Sequence, residues 1–77
     1  MKLVKFLIME NLSVDGSYTK VEDLKNNVMS DFLSIKKHSN SNIFELALEK
    51  LNDEQIVFIN RGKSEVAATQ YGINKFS

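Results

Sequence analysis

The chain has 77 residues, with ten basic and ten acidic side chains that cancel, and neither cysteine nor proline. So short a chain holds one small core, burying about 60% of the surface its unfolded form would expose. Its 43% hydrophobic and 26% charged residues exclude a disordered acidic tail, and no apolar run approaches a membrane span, so a single soluble domain over residues 1–77 with no membrane partner is expected.

Residues 1–9 carry the positive charge of a signal peptide. Their unbroken apolar run is only Phe6 to Met9, and no small-residue cleavage site follows, so they are read as part of the fold. The pairs Leu3/Leu7, Val4/Ile8 and Ile8/Leu12 fall on one broad helical face. Residues 2–8 could also alternate as a strand, but Glu10 and Leu12 continue the helical period as far as the Asp15-Gly16 turn.

Thr19-Lys20-Val21-Glu22 fits a capping box and predicts a second helix over about 19–29. Val21, Leu24 and Val28 recur on its inner face, while Glu22 and Asp23 complement the helix dipole. Residues 30–38 read two ways. Ser30 caps a short helix that buries Phe32 and Ile35, or residues 31–36 run as an extended edge.

Residues 39–72 read as helix, strand, turn, strand and helix start. Ser39, Asn40, Ser41 and Asn42 supply N-caps for a helix that runs to about Asn52. Phe44, Ala47, Leu48 and Leu51 follow the i, i+3, i+4, i+7 spacing and point to the core, with Asn42, Glu45, Glu49 and Asn52 opposite. Ile56-Val57-Phe58-Ile59 is a β-branched and aromatic strand, closed by the turn residues 60–64, and Glu65-Val66-Ala67-Ala68 returns. Thr69 is placed to cap a short last helix that uses Tyr71, Ile73 and Phe76. No internal repeat or low-complexity tract suggests a second domain.

Chemistry is sparse in this pattern. His38 is the only histidine, so no histidine cluster can hold a metal, and a Ser34/His38 pair has no third group to orient it. The carboxylate pairs Glu22/Asp23 and Asp53/Glu54 are sequence neighbours at element boundaries and point in different directions. Gly16, Gly62 and Gly72 are too far apart to cradle a phosphate. The chain is therefore expected not to be an enzyme and to use no cofactor and no metal, and the lack of cysteine fits a cytoplasmic setting.

Three local patterns resemble those of winged helix-turn-helix DNA-binding domains of small bacterial and phage regulators. Leu48-x-x-Leu51 followed by Ile56-Val57 is similar to the junction between the presented helix and the first wing strand. Arg61-Gly62-Lys63 stands where a wing tip stands, and Thr69-x-x-Gly72 is similar to the motif that opens the final helix. Ala68 replaces the usual leucine, Asp53-Glu54-Gln55 replaces the glycine common after the presented helix, and about ten residues, not a tight turn, separate the second and third helices.

The resemblance implies an α+β fold with three or more helices and a C-terminal two-stranded β-hairpin wing. It also implies a transcriptional regulator of phage or mobile-element type that binds double-stranded DNA. Lys36, Lys37, His38, Arg61 and Lys63 would then meet phosphates, and Ser39, Asn40, Ser41 and Asn42 would position the helix or touch base edges. A homodimer reading two half-sites is compatible with this. Glu45 and Glu49 lie on the face that would enter the groove, where carboxylates mostly repel the backbone. They keep open a second class, a winged-helix interaction module that binds a host or partner protein.

Overall fold

The computed structural model describes residues 2–35 and 42–76, with all their side chains except that of Phe76. Expectations for Lys36, Lys37, His38, Ser39, Asn40 and Ser41 lie outside the described residues. In chain order the elements are α1 (Lys2–Asn11), β1 (Thr19–Lys20), α2 (Val21–Ile35), α3 (Ile43–Asp53), β2 (Val57–Asn60), β3 (Glu65–Ala68) and α4 (Gln70–Phe76). Among the described residues four helices accompany one antiparallel sheet of order β1-β3-β2. No helix among the described residues is long and apolar enough to cross a membrane.

The predicted helical face of α1 holds: Val4, Leu7, Ile8 and Leu12 are buried against the rest of the core. The helix closes where the Asn11 side chain donates to the Leu7 carbonyl oxygen at 2.8 Å. Gly16 then takes a positive φ of 81°, and Asp15 accepts the Ser17 amide at 2.9 Å. This side-chain turn reverses the chain into β1.

Thr19 is a strand residue and not a helix cap, which corrects the capping-box reading. It pairs with Val66, and Lys20 pairs with Glu65. The first amide of α2, on Val21, donates to the Ser64 carbonyl oxygen at 2.8 Å. A tertiary acceptor thus satisfies the first amide of the helix, where the capping box would have had the Thr19 hydroxyl accept the amide of Glu22. The sheet is accordingly not the expected two-stranded hairpin, because β1 adds a third strand along the free edge of β3.

The uncertain stretch after Ser30 is helix as far as it is described. Leu24, Val28 and Phe32 keep one buried face without interruption through Ser30, so α2 has no reason to break. Ile35, expected inside, is 58% exposed.

In α3, Phe44, Ala47, Leu48 and Leu51 are buried as their spacing requires. The helix ends in a Schellman arrangement, with the Gln55 amide on the Asn52 carbonyl at 3.0 Å and the Ile56 amide on the Leu51 carbonyl at 2.9 Å. Gln55 occupies the left-handed position usual for glycine, with φ 62°. The buried side chains of Leu51 and Ile56 supply the hydrophobic contact that accompanies this motif.

Along the hairpin, Val57 pairs with Ala68 and Ile59 with Val66. Val57 is buried and Ile59 only half-buried. Thr69 caps α4 as expected, its hydroxyl accepting the Gly72 amide at 2.9 Å. The same hydroxyl lies 2.7 Å from the Gln55 carbonyl oxygen and 3.0 Å from that of Ile56. The motif Thr69-x-x-Gly72 therefore ties the start of α4 to the end of α3.

Candidate functional surface

The exposed side of α3 and the turn between β2 and β3 come together on one side of the domain. The turn is a four-residue loop in which the Lys63 amide meets the Asn60 carbonyl oxygen at 3.3 Å, and Ser64 takes the left-handed conformation with φ 52°. Gly62 has no positive φ, and an added Cβ would meet only Asn60 Oδ1 at 3.6 Å. The special position is Ser64, whose carbonyl is the one that receives the Val21 amide.

Arg61 reaches back from this turn to α3, where its Nη2 lies 2.9 Å from Glu49 Oε1. The hydrogen bond from Arg61 holds the Glu49 carboxyl below its ordinary pKa, and Glu49 in turn raises that of the guanidinium. Glu45, one turn earlier, accepts from Lys25 of α2, and this hydrogen bond holds its carboxyl below the ordinary range as well. Glu54, just beyond α3, pairs with Lys5 of α1 at 3.1 Å. Three carboxylates along and just past α3 thus hold one neighbour each: α2, the hairpin and α1.

Of the expected contact residues that are described, Asn42 is exposed at the N-cap of α3 and makes no side-chain cap bond. Its carbonyl accepts the Leu46 amide at 3.0 Å. Arg61 is brought to the face of α3 but is already paired. Lys63 is exposed at the turn and belongs to no ion pair among the described residues. Between turn and helix lies a cleft of about 260 Å³, floored by Val21, Phe44, Leu48 and Ile59 and rimmed by Glu45, Glu49, Arg61 and Ser64.

The sequence reading missed Lys25 and Lys5 as partners of the acidic helix. Their contacts span 20 and 49 residues of chain, a separation at which no local spacing rule operates. It also passed over Phe58, although strand alternation between Val57 and Ile59 would have turned that side chain outward.

No model of a known protein family, no curated protein and no solved structure matches this chain.

Proposed function

We propose that the chain is a winged helix-turn-helix module that binds double-stranded DNA in the cytoplasm as a small transcriptional regulator. In this reading α3 is the helix presented to the major groove and the β2–β3 turn is the wing. One observation carries it: the turn sits against the exposed side of α3, in an α1-β1-α2-α3-β2-β3 order with a β1-β3-β2 sheet. Helix and turn then form a single surface that a groove and its flanking phosphates can meet together.

On that surface Lys63 and Asn42 are accessible at once. Arg61 has to exchange the Glu49 carboxylate for a phosphate, an exchange of one charged acceptor for another that needs no new conformation of the fold. Lys36, Lys37, His38, Ser39, Asn40 and Ser41 immediately precede α3 in the chain and complete the proposed contact set. A titration of fluorescent random duplex DNA at two salt concentrations tests the reading. Log affinity should fall with log salt by about 0.9 per phosphate engaged. Arg61→Ala with Lys63→Ala should flatten that slope by up to about 2. Absence of binding at low salt, where screening is weakest, would exclude the proposal.

A second reading is favoured by the charge of α3 itself, whose exposed side carries Glu45, Glu49 and Asp53 against Lys50 alone. A basic segment of a protein partner would find this face complementary, with Leu46, 47% exposed, beside the carboxylates. The substitution pair Glu45→Gln and Glu49→Gln separates the readings, since it should tighten DNA binding and weaken a basic protein partner.

A further inference from the structure

The sheet has a second face, turned away from the core. Register places Phe58 opposite Ala67 and both Lys20 and Asn60 beside Glu65 on that face. Tyr18, one step before the Thr19–Val66 pair, comes alongside Ala67 from the other edge. Phe58 and Tyr18 are 54% and 49% exposed. Ala67 between them is only 6% exposed, yet it stands outside the buried core cluster that takes in Val66 and Ala68. The two rings therefore wall a shallow apolar floor on the outside of the sheet.

Next to this floor stand one cation and one anion, Lys20 and Glu65. They are paired in the sheet register, but neither side chain belongs to an ion pair among the described residues. Here the charges are self-complementary, because a two-fold axis lying between β1 and β3 sets Lys20 of one copy over Glu65 of the other and the reverse. The same rotation lays Tyr18 of one copy over Ala67 of the other. A net charge of zero leaves no long-range repulsion between copies.

We infer that the outer face of the sheet is an isologous self-association surface, on which two copies of this chain stack face to face through Tyr18, Phe58 and Ala67 with crossed Lys20–Glu65 pairs. The inference is independent of what α3 binds, since the contact uses the opposite side of the sheet from the helices. Two aromatic rings and a narrow floor make a contact smaller than the ~1,200 Å² of a stable interface, so the dimer is weak and transient.

Sedimentation velocity over concentrations up to about 1 mM, chosen for a small interface, tests it. The parent chain should pass from monomer to dimer with rising concentration, and Tyr18→Ser should weaken association by about tenfold or more, as expected for the aromatic ring nearest the two-fold axis. Tyr18 is half exposed and outside the buried core, so the melting temperature should hardly move. Lys20→Glu and Glu65→Lys should each be monomeric alone, because each makes the patch single-signed, whereas their equimolar mixture should form a heterodimer. A parent that stays monomeric throughout would overturn the inference. So would a Tyr18→Ser chain that associates as the parent does, or an equimolar mixture of the two charge variants that stays monomeric.

Discussion

Gly72→Ala is the most demanding test of how the C-terminal half is held. A Cβ built on Gly72 would lie 2.1 Å from the Ile56 carbonyl oxygen, and 2.8 Å from both the carbonyl carbon and Cγ2 of the same residue. These distances are far inside van der Waals contact. The Ile56 carbonyl cannot retreat cheaply, because it accepts the Thr69 amide at 3.0 Å and lies 3.0 Å from the Thr69 hydroxyl. On its other side the Ile56 amide is fixed in the Schellman bond to Leu51.

The methyl group must therefore push α4 outward. Overpacking of this kind costs about 1 to 3 kcal/mol, and loss of the Thr69 cap adds about 1 kcal/mol. Against this, alanine gains back roughly 1 kcal/mol in helix propensity over glycine. The net loss is about 1 to 3 kcal/mol, in a domain whose total stability is on the order of 4 to 12 kcal/mol for its length. At about 4 to 8 °C per kcal/mol for a chain this small, the melting temperature should fall by roughly 5 to 20 °C. Urea unfolding of Gly72→Ala beside Gly62→Ala checks the reasoning, because an added Cβ on Gly62 meets one side-chain atom at ordinary contact distance and should change stability by less than about 0.5 kcal/mol. Equal midpoints for the two variants would refute the close approach of α4 to Ile56.

Other substitutions probe single devices. Gln55→Gly should stabilise by about 0.5 to 1 kcal/mol, since it relieves a left-handed residue at a helix end; a loss in thermal melts would mean the Gln55 side chain has a role of its own. Thr19→Val should be neutral or stabilising by urea titration, because a β-branched strand residue replaces another, whereas a capping hydroxyl would have been missed by about 1 kcal/mol. Leu48→Ala should destabilise by roughly 2 to 5 kcal/mol, and a parent-like melt would displace α3 from the core. Glu45 and Glu49 both have carboxyl pKa values lowered in the folded chain, so what they contribute is present above the ordinary carboxylate range and fades as pH falls through the depressed folded values. Lys25→Gln together with Arg61→Gln should therefore flatten the acid limb of a pH–stability profile below about pH 4.5, and an unchanged limb would show these pairs to be inert.

Periodic burial was legible wherever a run was long enough to carry it. Phe44, Ala47, Leu48 and Leu51 in α3, and Val4, Ile8 and Leu12 across α1 and its end, needed only their spacing, since a helix can hide one stripe and no other. Thr69 was legible as a cap because capping is a local demand, whereas the close approach of Gly72 to Ile56 was not. What escaped the sequence was what depends on a distant partner. Thr19 and Glu22 satisfy the capping-box pattern, yet the hairpin's Ser64 carbonyl lies 2.8 Å from the Val21 amide and takes it. Once that acceptor is in place, extending the backbone of Thr19 against Val66 gains a strand pairing that a local cap would forgo.

The same reasoning applies to the candidate surface. From sequence, Arg61 at a turn reads as a free cation and Glu49 on a polar helix face as a free anion, because nothing in their spacing of 12 residues announces contact. Folding puts them together, and each changes the meaning of the other. Exposed pairs of this kind add little to stability. With its carboxylates engaged by Lys25 and Arg61, α3 presents a face closer to neutral than its composition suggests. In the proposed reading an approaching phosphate would compete with Glu49 for a guanidinium already held against α3, and an approaching basic chain would compete with Arg61 for Glu49. In the proposed reading the charge state of this one pair would decide which class of partner the surface admits, and substituting either member alone should move the balance in a known direction: Glu49→Gln towards polyanions, Arg61→Gln towards polycations. A Glu49→Gln chain that binds duplex DNA no better than the parent at low salt would show that the pair does not gate this surface.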